Sequence, residues 1–215
     1  MKELPILMNG DAVRAILDGR KTQTRRPIRP QPTGWNPTPN VKGAWLFCVA
    51  GDMDYSEGPF KSSFGAPGDR LWAREAWGGL FWCKEAGLNV LQYRDVPKTI
   101  RIQSHCEQVY YKATDDDDDL TGCWVPSIHM PRWVSRITLE VARVWVEQVQ
   151  EISEDDAKAE GITVSYDPAY SYRYDLTFRG GFTALWDSIY AAKGFGWNDN
   201  PWVFGCEFKV LEEVK

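Results

Sequence analysis

A lysine and a threonine stand three residues apart, Lys21 and Thr24, inside the run Gly19-Arg20-Lys21-Thr22-Gln23-Thr24-Arg25-Arg26. A neutral amine beside a hydroxyl can take the hydroxyl proton, and the oxygen can then attack an acyl carbon. For Lys21 to be neutral its ammonium form must be disfavoured, by burial or by the guanidiniums of Arg20, Arg25 and Arg26. Thr22, Arg20, Arg25 and Arg26 are the candidate substrate-binding groups around the pair. Glu75, a carboxylate that follows the apolar run 71–73, is a further candidate if it faces the same opening; a surface ion pair is its plainer role. An isolated K-x-x-T is also an ordinary basic surface turn, so the elements that position it decide its weight.

Ala12, Val13, Ile16 and Leu17 recur at helical spacing. Asn9 is placed to cap the start of that helix and Gly19 to end it, so Lys21 and Thr24 leave a rigid helix end together. Pro67-Gly68-Asp69 is a turn into a strand over 70–77, and further strands are expected around 44–50 and 108–112. Otherwise 27–68 reads as a long loop excursion and 78–90 is ambiguous. Ile137, Leu139 and Val141 alternate as a strand whose phase slips by one residue at Val144 and Val146, which predicts a bulge at Ala142-Arg143. Ser153 to Asp156 has capping-box spacing and opens a short helix ending at Gly161. Phe182, Leu185, Trp186, Ile189 and Tyr190 predict an amphipathic helix. A closing strand from Trp202 puts Phe204, Cys206, Phe208 and Val210 on one side. Several strands, one bulged, with short helices imply an α+β fold: a small mixed β-barrel of five to seven strands carrying flanking helices.

The chain has 215 residues, 43% hydrophobic and 26% charged, enough for a single substantial domain over 1–215. Its formal charge of −5 argues against coating long nucleic acid. Cations nevertheless crowd around Arg14 to Arg29, which suits one anionic ligand or a short piece of RNA. No apolar run has membrane-spanning length and no signal peptide is visible, so the expected location is the cytoplasm. Five cysteines without a C-x-x-C pair agree with reduced thiols. His105, Cys106, Cys123 and His129 fall close together, but their spacing is poor for zinc. The run 115–119, all aspartate, is expected to be a mobile, solvated loop. Of eleven tryptophans, Trp72, Trp145, Trp186 and Trp202 sit in periodic segments and read as core. Trp35, Trp45, Trp82 and Trp197 lie in glycine- and proline-rich stretches, where rings can stack on bases.

In order, these elements resemble the ASCH family of the PUA-like superfamily. The resemblance rests on Gly19, Lys21 and Arg26 after a helix and on the turn Gly68-Asp69-Arg70-Leu71. A strand over 136–146, helices over 154–160 and 182–190, and a strand over 202–211 complete it. It covers about half the chain, and the whole also looks like the ASCH proteins of tailed phages and prophages; 28–66 and 78–125 look like insertions. The resemblance implies a PUA-like barrel and a metal-independent amidohydrolase site, because one compact family member removes the acetyl group from N4-acetylcytidine with a lysine, a threonine and a glutamate. By local match these are Lys21, Thr24 and Glu160, with no cofactor. Lys21 would be the base and Thr24 the nucleophile. Glu160 would serve the leaving amine, and backbone N–H groups near Gly19 would hold the oxyanion. The same pocket could recognise RNA or a modified nucleotide without turnover. Ribonuclease activity is a third reading, weakened by the lack of a histidine near the motif. A host protein partner bound through the insertions is a fourth. The oligomeric state is left open.

Overall fold

The computed structural model describes residues 1–39, 44–49, 52–83, 88–92, 106–115, 124–164 and 177–213. Its first helix, α1 (Gly10–Leu17), forms where the apolar spacing places it, and Val13, Ala15 and Ile16 are buried. The Asn9 side chain accepts from the Ala12 N–H, satisfying one of the free donors of the first turn. Gly19 adopts φ +70°, a left-handed conformation that glycine enters without a steric cost, and the chain turns there toward Lys21.

A five-stranded mixed sheet carries the rest of the site. Its strands are β1 (Glu3–Leu7), β2 (Gln23–Pro27), β6 (Arg70–Arg74), β10 (Ile137–Gln148) and β11 (Trp202–Glu213). The order is β1-β6-β10-β11-β2, with β1 and β6 parallel and the other pairs antiparallel. The expected barrel is not closed by a backbone ladder among the described residues: β1 and β2 are edges. A side chain spans them instead, Arg26 Nη2 donating to the Leu7 carbonyl at 2.9 Å. The long β10·β11 pair shifts register between Val141 and Arg143, where the slip in hydrophobic phase predicted a bulge. Gly205 in β11 lies under the Trp145 ring, so any Cβ there would collide with the indole.

The segments 28–66 and 78–125, expected to be insertions, contribute to two further three-stranded sheets. Residues 28–66 hold an antiparallel meander, β3 (Trp35–Pro39), β4 (Ala44–Val49) and β5 (Asp52–Lys61), where one strand was expected. Strand 70–77 likewise ends early: β6 stops at Arg74, and β7 (Trp77–Cys83) begins a third sheet with β8 (Leu88–Gln92) and β9 (Cys106–Tyr111). Glu75 and Ala76 form the joint, and Glu75 is buried there, which a continuous strand with one solvent face does not require. The closing helix α3 (Phe178–Tyr190) starts four residues before the apolar spacing begins, because Thr177 caps it by accepting from the Gly180 N–H.

Three apolar clusters result among the described residues. The largest joins Val13 and Ile16 of α1 to Leu71, Leu139, Val141, Phe204, Cys206 and Phe208 of the sheet, and takes in Phe47 and Phe64 from the first insertion. Val210, expected on the same inward side, is exposed instead because it lies where β11 runs past the core. A second cluster packs Phe182, Trp186 and Tyr190 of α3 on Val149, Ile152, Val203 and Ala157 of the short helix α2 (Glu154–Ala159). The third joins Trp77, Val125, Met130 and Val134. Trp72, Trp145 and Trp202 are half-buried rather than fully internal. Arginines cover two of them, Arg74 and Arg132 over Trp72, and Arg25 and Arg143 over Trp145. Among the described residues no helix is long and apolar enough to cross a membrane.

Candidate active site

Lys21 leaves the end of α1 and meets the end of α2. Ser153 caps α2 by accepting from the Asp156 N–H, and Gly161 ends it at φ +86°. That glycine is required twice over: its φ is left-handed, and a Cβ would lie 2.8 Å from Ala15 Cβ and 3.0 Å from Lys21 Cβ. The close approach lets Lys21 and Glu160 pair as an isolated antiparallel bridge. Lys21 Nζ then donates to Glu160 Oε2 at 2.6 Å and to the Glu160 carbonyl at 2.9 Å. Both residues are buried, at 5% and 7% exposure.

Burial pushes the Lys21 ammonium below the usual lysine range, since it strips the charged form of its hydration. Glu160 opposes that shift through its charge and its hydrogen bond, while the charges of Arg26 and Arg25 reinforce it. A buried ammonium–carboxylate pair of this kind can neutralise by passing one proton from nitrogen to oxygen. The amine is then a base and the carboxyl an acid.

Arg25 fixes Glu160 from the other side. Its Nη1 reaches Glu160 Oε1 at 3.2 Å and Gln23 at 3.1 Å, and its Nε donates to Glu147 Oε1 at 2.6 Å. Asp156 lies 3.7 Å from Nη2, and the guanidinium packs 5.3 Å from the Trp145 ring centroid. The sequence marked Arg25 as a substrate ligand; with no exposed side-chain surface and three carboxylates around it, it holds Glu160 in place. The sequence read Asp156 as part of a cap and Trp145 as core and did not single out Glu147; their meeting around Arg25 depends on the β10·β11 register and the placement of α2.

Thr24, 1% exposed, lies in β2 opposite Cys206 of β11. Lys21, Thr24, Arg25, Arg26 and Glu160 all line one cavity of about 370 Å³. Asn9 and Ser127 lie at the same cavity, and Phe182, Leu185, Trp186, Ile189 and Tyr190 of α3 form an apolar wall. The sequence pattern read these residues as one face of an amphipathic helix, with Trp186 as core. A helix stripe facing a pocket has the same spacing as one facing packed protein.

The other expected site residues go elsewhere. Arg20 is exposed and bonded to Asp18 and the Gly161 carbonyl; Thr22 is exposed. Glu75 takes a bidentate fork from Arg136, both contacts at 3.0 Å. Burial raises its carboxyl above the usual range although Arg136 pulls the other way. Glu75 is not among the residues of the cavity wall. The expected oxyanion donors near Gly19 are spent, because the Gly19, Arg20 and Lys21 N–H groups all bond to carbonyls of α1. Cys206 beside Thr24 is no rival nucleophile: burial, with Glu160 and Glu207 nearby, pushes its thiol up to about 12.

Of the possible zinc group, His129 is exposed, Cys106 is described in its backbone alone, and His105 and Cys123 lie outside the described residues. Among the described residues no group of three or more His, Cys, Asp or Glu side chains is arranged to hold a metal ion. Asp115 is held, accepting from the Tyr111 N–H and from Thr114; residues 116–119 lie outside the described residues. Trp45 and Trp197 are half-buried, Trp45 against the main core and Trp197 edge-on to Phe182. The side chains of Trp35 and Trp82 lie outside the described residues. No protein-family model, curated protein or solved structure matches the chain.

Proposed function

We propose that the protein is a metal-independent amidohydrolase of the ASCH type, on a PUA-like scaffold, that removes the acyl group from an N4-acylated cytidine. The carrying observation is that Lys21, Thr24 and Glu160 line one cavity, with the Lys21 amine buried against the Glu160 carboxylate. Neutral Lys21 takes the Thr24 proton, and Thr24 Oγ1 attacks the amide carbonyl. Glu160 donates its proton to the exocyclic nitrogen as the C–N bond breaks, releasing cytidine and leaving the acyl group on Thr24. Ionised Glu160 then takes a proton from water, whose oxygen attacks the acyl carbon, and protonated Lys21 returns its proton to Thr24 Oγ1 as the C–O bond breaks, freeing the acid and restoring the neutral pair. The α3 wall of Phe182, Trp186 and Tyr190 supplies the apolar surface against which a base would lie. Arg26 and the Asn9 amide are among the side-chain donors at the cavity that a developing oxyanion could use, since the Gly19 backbone is spent.

One observation favours a second reading, recognition of a modified nucleoside or short RNA without turnover. Among the described residues, both hydrogen bonds of Lys21 Nζ go to Glu160 rather than to Thr24. Incubation with N4-acetylcytidine and chromatography of the products separates the two. Metal-free release of cytidine and acetate is expected; saturable nucleoside binding without release would replace the enzyme with the binding module. The cytoplasm, and a phage or prophage origin, go with the ASCH reading.

A further inference from the structure

A second cavity, of about 570 Å³, opens on the far side of Arg26. It is lined by three cations, Arg26, Arg29 and Lys61, together with Ser63, Phe60 and Phe204. No carboxylate is present among its described lining residues, in a chain whose formal charge is −5. Arg29 is steadied with its guanidinium 4.7 Å from the Phe195 ring centroid, and Lys61 is exposed at the end of β5.

Arg26 belongs to both cavities. Its Nη1 and Nη2 donate to the Arg25 and Leu7 carbonyls, which fixes the guanidinium between the two spaces. Two of five donors are spent that way, leaving three for a ligand. A fixed guanidinium flanked by two further cations and a hydroxyl matches the tetrahedral oxygens of a phosphate ester. Arg29, Phe60, Lys61 and Ser63 all come from residues 28–66, so that segment supplies most of the cavity wall.

We infer that the second cavity is an anion subsite for a phosphate ester carried by the nucleoside whose base occupies the first cavity. This rests on the nucleoside reading above, and it makes the preferred ligand a nucleotide or a strand rather than a free nucleoside. The source of the phosphate, a free monophosphate or the phosphodiester of RNA, follows from the affinities of the two.

Calorimetric titration of the full-length Thr24→Ala protein tests it, with N4-acetylcytidine, its 5′- and 3′-monophosphates, a trinucleotide carrying it centrally, and inorganic pyrophosphate. At least one phosphate ester should bind about tenfold tighter than the nucleoside, as charge-assisted contacts require. Arg29→Gln/Lys61→Gln should erase that ratio and leave nucleoside affinity unchanged. A monophosphate as tight as the trinucleotide assigns the subsite to free nucleotides; a tighter trinucleotide assigns it to RNA. Equal affinity of nucleoside and esters, or a ratio that survives the double substitution, overturns the subsite. If the nucleoside fails to bind while pyrophosphate binds and loses affinity in the double variant, the anion subsite stands and the reading of the first cavity falls.

Discussion

Lys21 is buried without being isolated, and its chemistry follows from the competition around it. Desolvation and two guanidiniums favour the amine, while Glu160 favours the ammonium. The reactive neutral pair still holds one proton, so the rate should fall at high pH as the Lys21–Glu160 pair loses it, with a midpoint below the ordinary lysine value of about 10.4. A pH profile of kcat/KM checks this, and a midpoint at or above that value would remove Lys21 as the base. The same shift has a stability consequence. The unfolded chain binds the Lys21 proton more tightly than the folded one. Stability relative to Lys21→Met should thus rise with pH, between the folded pKa and about 10.4. Denaturant titrations across that window give the sign directly. Cys206, with its thiol pushed up to about 12 and no exposed surface, should resist alkylation at pH 8 until the protein unfolds. Fast native modification would place it at the cavity surface.

At the scale of elements, the site is a meeting of two helix ends. Gly19 turns the chain out of α1, and Gly161 turns it out of α2 close enough for Lys21 and Glu160 to pair. Gly161→Ala is expected to lower stability by about 1–3 kcal/mol through its left-handed φ and its contacts with Ala15 and Lys21. It should lower kcat/KM as well, because Lys21 must shift. Thermal unfolding alongside turnover checks both effects, and unchanged turnover would mean that the bridge does not set the position of Lys21. Much of this scale was legible beforehand. Asn9, Gly19, Ser153 and Gly161 are capping residues whose roles follow from local backbone geometry. The bulge near Ala142 was legible as well, since a one-residue slip in phase has few other causes. What could not be read was the break at Glu75. A buried carboxylate is stable there because Arg136, sixty-one residues away, forks onto it. The three carboxylates around Arg25 were hidden for the same reason, as each depends on long-range register.

Over the whole molecule, the segment 28–66 is a structural part of the fold rather than an appendage. Phe47 of the first insertion is completely buried in the core that also holds α1 and the central sheet, edge-on to Phe60 and Trp202. Phe47→Ala should therefore cost about 3–5 kcal/mol, a value drawn from core truncations of this size. It should do so in a single transition that also weakens the site. Chemical denaturation followed by tryptophan fluorescence and by turnover would show this as coincident midpoints; separate midpoints would make the insertion an independent unit. The sequence indicated a mixed fold dominated by strands, and that is the architecture. It did not indicate three sheets. The turn-rich composition of 28–66 conceals short strands that gain their order from packing on the main core.

The central claim is that Lys21, Thr24 and Glu160 act as one unit on an acylated base. The direct measurement is kcat for N4-acetylcytidine in the wild type, Lys21→Ala, Thr24→Ala and the double variant, each verified as folded by circular dichroism. Each single substitution is expected to lower kcat by about two to four orders of magnitude, and the double variant to fall no further, as groups in one proton-transfer chain behave. Losses that multiply would show that the two side chains act separately. Turnover undiminished in either single variant would contradict the account.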